Sequence, residues 1–537
     1  MKVLITTSGV GSKLGYLTKF MNKAMIKLGK KPVISYIIEQ YPKDYEFIIS
    51  LGYFGDHIKQ FLPLCYPDRK FTFVNVDNYD GPGSSQAYSM LCCKDYLQEP
   101  FIYNDCDTII DEHIENFNED FICGYPTDKI RYHSNYDAYN TKSKGYIETV
   151  SEMFSKGEST YPKYTYVGIC GIYDYEYFWN SLISGLENNI VSSDFDVFAN
   201  YYKNRKLIHK TVDNWKDTGN VDNILHYRKE FEDNLNILDK NDQSIFIFDK
   251  FVIKFFTNDS TVNNIINRHY QLGKLTHEIT ENTRNFFKYD FIEGDTVIHC
   301  MNPVRFKEMM SYFEKNNLWE EKSFKDSEKF EEYKNSFYIN KTIDRINKFK
   351  EEYNVNEDDD IYINDVLIPQ EYTIEYMLNI LKNQPEYINS KPTSWHGDFT
   401  LENIIYDNNK GKYTLIDCRD KFGSTIYYGD KLYDYGKMNH NFTFNFDNAI
   451  LGNYKLNIED NYILFSILVD SEVYKCREVL KDIVESQNIR YDYIEALSGL
   501  CWLNMSPLHK IDNMPLLLFY MGKLKLYESI KKLENNK

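Results

Sequence analysis

The chain has 537 residues, a formal net charge of −18, a hydrophobic fraction of 42% and an aromatic fraction of 16%. It is longer than a single hydrophobic core usually organises, so we expect two or three domains, folded rather than disordered. The acidic balance argues against a nucleic-acid or anionic-membrane partner, although a nucleotide needs only a local cationic pocket.

The cysteine and hydropathy patterns indicate a cytoplasmic protein without a membrane span. The ten cysteines show no CxxC pair and no metal-ligand spacing, which is typical of reduced thiols. The first residues, MKVLITTSGVG, form a short apolar run that enters glycines, as a first strand does and a signal peptide does not. No apolar run approaches the ~20 residues that span a bilayer. The sequence leaves the oligomeric state open, including a homo-oligomer.

The first hundred residues alternate between strand-like and helix-like segments. Strands are predicted at 2–6, 47–51, 71–76 and 101–103, and helices at 33–41, 57–62 and 87–97. This alternation predicts a parallel sheet whose ligands bind at the carboxyl ends of its strands.

A glycine-rich loop follows the first predicted strand. Gly9 and Gly11 lie in it, and Lys13 and Lys23 come next along the chain. Backbone N–H groups can approach phosphates where no Cβ intervenes, and lysines supply the countercharge. The loop is therefore a candidate phosphate-binding segment, with Lys13 and Lys23 as catalytic candidates.

The N-terminal segment resembles a known signature. The glycine loop with Leu14, Leu17-Thr18, Asn22-Lys23 and Lys31-Pro32 resembles the GxGxRLxxLT…PK…KP pattern of sugar-phosphate and phosphocholine nucleotidyltransferases. The resemblance implies a Rossmann-like α/β domain with a mixed, mostly parallel sheet over residues 1–235. Lys13 replaces the usual arginine and Asn22 the usual proline; the lysine forfeits bidentate phosphate contact.

Two later segments extend this resemblance. Ser84, Ser85 and Gln86 lie in a small-residue stretch where that family binds the base, and they leave the choice of base open. The segment from Trp215 to Asn220 resembles the family's WxDxGT, so the resemblance implies that Asp107 and Asp217 hold Mg²⁺. Asp105 is the rival for the first position; Asp107 is preferred because Thr and Ile follow it as in the family.

A charged stretch at 227–242 predicts a domain boundary, placed between residues 235 and 236. Residues 244–256 then read as an antiparallel hairpin that turns at Asp249-Lys250. Lys254 lies in its second strand, within Val-Ile-Lys. A strand lysine is often only part of a solvated face, so the pattern leaves its role open.

A second motif occupies residues 395–437. His396-Gly397-Asp398 is followed by Asn403, and two strand-like runs with an Asn/Gly-rich turn between them lead to Asp417. The runs predict a hairpin that brings Asp417 close to Asn403 and Asp398. Phosphoryl transfer from a nucleotide needs such a set: one carboxylate to accept a hydroxyl proton, and an amide oxygen and a second carboxylate to hold Mg²⁺.

This motif resembles the catalytic loop of the aminoglycoside phosphotransferase and choline kinase family, small-molecule kinases with a protein-kinase-like, two-lobed α+β fold. The resemblance implies Asp398 as catalytic base, Asn403 and Asp417 as Mg²⁺ ligands, and Lys254 as a ligand of the ATP phosphates. It also implies a first lobe at 236–300 and a second at 301–537. Beyond residue 437 the sequence predicts a mostly helical chain. Residues 428–437 resemble the GDxxYDxxK segment of capsule-associated members.

Together the two resemblances imply a bifunctional enzyme. One site phosphorylates a small alcohol, sugar or amino alcohol with ATP, and the other couples that phosphate to a nucleoside triphosphate, preferably CTP, for a capsule or other surface glycan. UTP or GTP with a sugar kinase is an alternative. In another alternative, one half is a degenerate nucleotide-binding regulator; the altered Lys13 and Asn22 positions make this the N-terminal half.

Overall fold

A computed structural model describes residues 1–114, 117–130, 133–159, 162–231, 242–323, 327–444, 446–509 and 512–535. The chain forms two compact units: unit 1 comprises Met1–Asp259 and Thr280–Phe291, and unit 2 comprises Ser260–Ile279 and Ile292–Lys537. The predicted boundary between residues 235 and 236 lies outside the described residues.

Unit 1 contains both strands and helices, so the prediction of an α/β protein is confirmed. Its strands are β1 (Lys2–Thr6), β2 (Lys27–Leu28), β3 (Lys31–Pro32), β4 (Glu46–Leu51), β5 (Lys70–Asn75), β6 (Phe101–Asp105), β7 (Thr108–Ile110), β8 (Phe121–Pro126), β9 (Ala138–Lys144), β10 (Ile147–Phe154), β11 (Tyr164–Ile172), β12 (Ile208–Thr211), β13 (Trp215–Asp217), β14 (Gln243–Ile247), β15 (Phe251–Phe256), β16 (Ile279–Asn282) and β17 (Phe286–Asp290). Its helices are α1 (Val33–Glu39), α2 (Gly55–Cys65), α3 (Gln86–Cys92), α4 (Tyr175–Glu187), α5 (Asp194–Tyr202) and α6 (Val221–Phe231).

The central sheet of unit 1 has nine strands in the order β5-β4-β1-β6-β11-β8-β12-β10-β9. Neighbours are parallel from β5 to β6 and between β12 and β8, whereas β11 runs antiparallel to β6, β8 and β9, and β10 to β9 and β12. The sheet is thus mixed as expected, but "mostly parallel" is wrong, because β10 and β11 run antiparallel to all their neighbours, which the early β/α alternation does not reveal.

Strand β1 lies inside this sheet and is covered on both faces. Val3 and Ile5 belong to one buried cluster, and Leu4 belongs to another. Alternate side chains of a strand point to opposite faces, so both faces of the sheet are packed. Its carboxyl end, next to that of β6, is where the glycine loop and the acidic residues begin.

The predicted hairpin at 244–256 is present as β14 and β15, within a four-stranded sheet of order β14-β15-β17-β16. Most of this sheet belongs to the compact unit 1. The sequence instead predicts that these strands form part of a separate lobe at 236–300. The physical reason is aromatic packing on α2: the Phe61 ring lies 5.5 Å from that of Phe246 and 5.9 Å from that of Phe286.

Unit 2 contains most of the helices. They are α7 (Asp259–Leu272), α8 (Pro303–Lys315), α9 (Ser327–Lys334), α10 (Lys341–Tyr353), α11 (Ile374–Lys382), α12 (Pro385–Asn389), α13 (Lys431–Asn441), α14 (Phe446–Ile450), α15 (Ser471–Glu485), α16 (Tyr491–Met505) and α17 (Met514–Asn535). Its strands are β18 (Asp295–Thr296), β19 (Ile361–Ile363), β20 (Val366–Ile368), β21 (Ile404–Asp407), β22 (Lys412–Leu415), β23 (Tyr454–Glu459) and β24 (Tyr462–Ile467).

The strands of unit 2 confirm the predicted hairpin and add a second one. β21 and β22 form the predicted hairpin, with Ile404 opposite Leu415. The chain beyond residue 437 is mostly helical, as predicted, and β23 and β24 interrupt its helices with an antiparallel pair that extends a sheet through β19. Leu456 and Phe465 are paired across this second hairpin and pack against a core cluster that includes residues of α17, so one face of the hairpin is partly buried.

All ten cysteines are free thiols. Within the ranges that the structure describes, none of the helices combines the length and the apolar character that a bilayer crossing requires.

Candidate active sites

The glycine loop of unit 1 turns tightly above a lysine. Gly11 has a φ of 72°, in the left-handed region that favours glycine, and starts a 3₁₀ segment. A Cβ on Gly11 would lie 3.1 Å from the Cβ of Lys23, so the loop approaches that lysine closely. A Cβ on Gly9 would meet nothing within 4 Å, so Gly9 faces open space.

Asn22 fixes the backbone on which Lys23 stands. It is fully buried, and its Nδ2 donates to the carbonyls of Thr7 at 2.9 Å and Tyr53 at 2.7 Å. Its Oδ1 accepts from the Ala24 N–H at 2.9 Å, which caps the turn. The departure from the family's proline therefore replaces a rigid ring with three hydrogen bonds. The sequence did not reveal this role.

The two predicted lysines differ in their surroundings. Lys13 is exposed, whereas Lys23 is partly buried. Burial would lower the pKa of Lys23, but the Cys106 thiol and the Asp105 and Asp107 carboxylates raise it above its usual value. Lys23 is therefore a firmly charged group beside the acidic residues.

Asp107 and Asp217 are brought together by a two-stranded pairing. β13 runs antiparallel to β7, with Asp217 opposite Thr108. The Cβ position of Gly219 lies 2.9 Å from Asp107 Oδ2 and 3.0 Å from Asp217 Oδ1. The two carboxylates thus converge on one glycine, where any side chain would occupy the space between them.

Asp217 is held in place by neighbours that the sequence did not single out. Its Oδ2 accepts from Tyr136 Oη and from Asn223 Nδ2, both at 2.9 Å, and its Oδ1 accepts from the Gly219 N–H at 2.8 Å. Thr218 anchors the other strand, since its N–H donates to the Asp107 carbonyl at 2.8 Å. No spacing in the sequence signals Tyr136, because it meets Asp217 only in the folded chain.

The carboxylates of Asp105, Asp107, Asp194 and Asp217, which we call the acidic cluster, repel one another. Burial, and then the charge of Asp105, raise the pKa of Asp107 to about 8. The same two causes raise the pKa of Asp194 to about 7, and burial raises that of Asp217. Asp194 is a further member of the cluster that the sequence reasoning missed.

A divalent cation suits this pair of carboxylates, because it would offset their mutual repulsion. Among the described residues, no three His, Cys, Asp or Glu side chains are grouped as a metal site. Mg²⁺ is commonly bound through one or two carboxylates, with substrate phosphates and water completing its shell. Asp107 and Asp217 fit that mode of binding.

The predicted base-binding loop precedes α3. Ser84 Oγ donates to the Gly81 carbonyl at 2.7 Å, and Ser85 Oγ accepts from the Tyr88 N–H at 3.0 Å as the helix N-cap. Gln86 Nε2 donates to Tyr103 Oη at 2.5 Å, which fixes its amide against strand β6. Their base-binding roles stay predictions.

Lys254 lies in β15, and only 5% of its surface is exposed. Its Nζ is 5.9 Å from the centroid of the Tyr289 ring on β17. Its predicted role as a phosphate ligand stays a prediction.

In unit 2 the loop of His396, Gly397 and Asp398, which we call the HGD loop, folds onto the hairpin of β21 and β22. Asn403 Nδ2 donates to the Asp398 carbonyl at 2.9 Å and to Asp398 Oδ2 at 3.1 Å. The Ile416 N–H donates to the Asn403 carbonyl at 3.0 Å, so Asp417 follows one residue beyond this contact. Asp417 has a φ of 58°, a left-handed conformation that ends the strand sharply. The structure thus gathers these three predicted residues at the end of β22.

His396 organises this loop as a neutral side chain. Its Nε2 donates to the Ile416 carbonyl at 2.9 Å, and its Nδ1 accepts from the Asp398 N–H at 3.3 Å. Burial lowers the pKa of His396 to about 4, which keeps it neutral near pH 7.

Asp434 on α13 anchors the same loop from the other side. Its carboxylate accepts from the backbone N–H groups of His396 at 2.8 Å and Gly397 at 2.7 Å, and from Trp319 Nε1 at 3.0 Å. Burial raises the pKa of Asp434 to about 6 despite these donors. The YDxxK pattern contained Asp434, but only the structure assigns it this positioning role.

Lys437, one turn further along α13, reaches the predicted base. Its Nζ lies 2.8 Å from Asp398 Oδ1, and 8% of the lysine is exposed. Burial alone would lower the pKa of Lys437, but Asp398 raises it above its usual value. The ion pair places a cation directly beside the predicted base.

Comparisons with known proteins found solved structures that are similar to part of the chain. No family model and no curated protein matches the chain. Solved structures that match include a UDP-glucose pyrophosphorylase (15% identity, 43% of this chain, 97% of that chain, TM-score 0.36) and a putative glucose-1-phosphate thymidylyltransferase from Bacillus anthracis (18%, 44%, 98%, 0.37). A third is a CTP:phosphocholine cytidylyltransferase from Streptococcus pneumoniae (14%, 43%, 99%, 0.35).

Proposed function

We propose that the chain is a bifunctional enzyme that phosphorylates a small alcohol or sugar with ATP and then couples the phosphate to a nucleoside triphosphate, CTP being the first candidate. The observation that carries this proposal is the convergence of Asp107 Oδ2 and Asp217 Oδ1 on Gly219. In unit 2, Asp398, Asn403 and Asp417 supply the second reaction. Residues 1–235 would carry nucleotidyl transfer and residues 301–537 phosphoryl transfer.

In nucleotidyl transfer, an oxygen of the acceptor phosphate attacks the α-phosphorus of the triphosphate, and pyrophosphate leaves. The Gly11 turn and Lys23 would bind the triphosphate, since Lys23 keeps its charge beside the acidic cluster. Asp107 and Asp217 would hold Mg²⁺, which, when bound, neutralises charge between the two anions. Tyr136 and Asn223 orient Asp217 for that task.

In phosphoryl transfer, the acceptor hydroxyl gives its proton to Asp398 while its oxygen bonds to the γ-phosphorus and ADP leaves. Lys437 keeps Asp398 ionised and so able to take that proton. Asn403 orients Asp398, and with Asp417 it would hold Mg²⁺. Asp434 fixes the loop from behind.

The two reactions form a natural sequence, because the phosphate that one site adds is the group that the other activates. The product would be a nucleotide-activated head group for a capsule or other surface glycan, made in the cytoplasm. This last step rests on analogy with capsule-associated kinases.

A pyrophosphate-release screen with Mg²⁺ tests the proposal. Each of CTP, UTP, GTP and dTTP is paired with phosphorylated polyols, sugars, hydroxy acids and amino alcohols. A hit identifies base and acceptor together, and the dephosphorylated acceptor then tests the ATP-dependent step. Silence across the panel, with ATP turnover intact, would instead favour a kinase that carries a nucleotide-sensing domain.

A further inference from the structure

Four cationic side chains lie near one another beside the HGD loop of unit 2, and we call them the cationic cluster: Lys341, Arg345, Arg419 and Lys437. Lys437 has a carboxylate partner, since it pairs with Asp398. The other three form no salt bridge with any carboxylate in the described ranges. The charges of Asp398 and Asp420 both act on Arg419, and the four cations of the cluster outnumber these two carboxylates.

Lys341 and Arg419 share two aromatic rings. Lys341 Nζ lies 3.5 Å from the centroid of the Phe337 ring and 5.7 Å from that of Tyr433. Arg419 Cζ lies 5.4 Å and 5.7 Å from the same two centroids. The two cations are thus neighbours, and the rings fix where they lie.

Lys341 is the least satisfied member of the cluster. In the described part of the chain its amine makes ring contacts but no hydrogen bond or ion pair. Arg345 donates from Nη1 to the Asn504 carbonyl at 2.9 Å, and Arg419 donates from Nε to the Gly397 carbonyl at 3.0 Å. Burial, and then the charges of Arg419 and Arg345, lower the pKa of Lys341. A bound anion would relieve this crowding.

The backbone before Lys341 is specialised. Residues Asn335–Asn340 form a π-helical segment that leads directly into α10. It carries Phe337, whose ring lies 4.8 Å from that of Tyr433 and 5.8 Å from that of Trp395. π-helical turns occur frequently at functional sites, and this one brings Lys341 over rings that adjoin the HGD loop.

The cluster lies on the Lys437 side of the predicted base, away from Asn403. Asp398 Oδ2 faces Asn403, the predicted metal ligand, whereas Oδ1 faces Lys437. One carboxylate oxygen of Asp398 therefore faces the predicted Mg²⁺ ligand, and the other faces the cationic cluster. An acceptor hydroxyl that reaches Asp398 from the Lys437 side would bring its neighbouring groups against Lys341 and Arg419.

Resting on the proposed kinase activity, we propose that the acceptor of unit 2 is an alcohol that bears an anionic group, a carboxylate or a phosphate, bound by Lys341 and Arg419. This narrows the acceptor to hydroxy acids and phosphorylated polyols. An amino alcohol would place its cation among four others, which electrostatics disfavours.

The test compares acceptors and variants in the full chain. ATP turnover is measured with glycerate, glycerol 3-phosphate, glycerol and ethanolamine, and binding of each without ATP is measured by calorimetry. We expect turnover and binding with one or both anionic compounds only; which one responds separates a carboxylate from a phosphate source. Lys341→Met should raise the KM for the anionic acceptor at least about tenfold, the usual effect of losing a charge-assisted hydrogen bond, with the KM for ATP unchanged.

The controls are a charge-keeping and a remote variant. Lys341→Arg should restore most of the acceptor affinity, and Lys348→Met, on the exposed face of the same helix, should behave as wild type. Thermal unfolding of each variant shows whether it folds.

Four outcomes would overturn the proposal. Turnover of glycerol or ethanolamine that is insensitive to Lys341→Met would refute the anionic acceptor while leaving the kinase intact. An equal rise in the KM for ATP would assign the cluster to the nucleotide phosphates. Absence of saturable binding by either anionic compound would refute the site whether or not ATP is consumed, whereas binding without any turnover would refute the kinase and the acceptor role together.

Discussion

The two candidate sites differ in the charged groups that surround their aspartates. In unit 1, Asp107 and Asp217 converge on Gly219, and burial with neighbouring carboxylates raises the pKa of Asp107. In unit 2, Asp398 already has a resident cation in Lys437, and further cations adjoin it. Asp107 thus has carboxylate neighbours, whereas Asp398 has a cationic partner.

This difference shows what each site needs from its ligands. A pair of buried carboxylates is stabilised by a metal cation, so the unit 1 site suits substrates that arrive with Mg²⁺. A carboxylate that is already paired can stay ionised without a metal and act as a base. The same residue type, aspartate, is therefore suited to different chemistry where its neighbours differ.

The largest expected effect comes from removing the base of unit 2. Asp398→Asn should lower ATP turnover by about 10²–10⁴-fold, the usual contribution of a general base. Pyrophosphate release from a phosphorylated acceptor should be unchanged, because unit 1 does not use Asp398. Asp460→Asn, on an exposed turn, is the matched control. Equal loss of both activities would break the two-site comparison.

The converse change is Asp107→Ala in unit 1. Removing a metal ligand should reduce pyrophosphate release by at least about 100-fold, since even residues that only support ligands contribute about 10–100-fold. ATP turnover should persist. Asp105→Asn should have a smaller effect and Asp68→Asn, which is exposed, none. Unchanged pyrophosphate release in Asp107→Ala would refute the metal assignment.

Asp434→Ala tests whether Asp434 positions the HGD loop, because it removes the acceptor of two loop N–H groups and leaves Asp398 in place. Three donors would lose their acceptor, and we expect the free energy of unfolding of unit 2 to fall by about 3 kcal/mol. ATP turnover should fall with it, while pyrophosphate release stays. Denaturant unfolding and both assays check this. A variant that is destabilised but keeps its full kcat would show that Asp434 does not position the loop.

The smallest expected effect is that of Asn22→Pro in unit 1, which restores the family's residue. The backbone of Asn22, with φ of −62°, accommodates proline, but three side-chain hydrogen bonds are lost. We expect the free energy of unfolding to fall by about 1–3 kcal/mol and the KM for the triphosphate to rise modestly. Asn488→Ala is a control outside this unit. A more active and equally stable variant would show that Asn22 is a defect.

Much of the unit 2 site followed from the sequence, because its parts lie within one stretch. Asn403 contacts Asp398 across five residues, and the hairpin that returns the chain to Asp417 has a readable turn. The glycine loop and Lys23 were likewise local. The parallel start of the central sheet could be predicted for the same reason, whereas the reversals at β11 and β10 could not, since they depend on pairing between distant strands.

By itself the sequence determined the identity and local order of the groups that can carry the chemistry: Asp107, Asp217, Asp398, Asn403, Asp417 and Lys23. Only the tertiary structure decided their partners. Tyr136 meets Asp217 across 81 residues, and Asp434 meets the His396 backbone across 38. The cations beside Asp398 come from helices on both sides of it in the chain. Packing alone brings such groups together. Because charges interact through space rather than along the chain, packing determines which charged groups surround Asp107 and which surround Asp398.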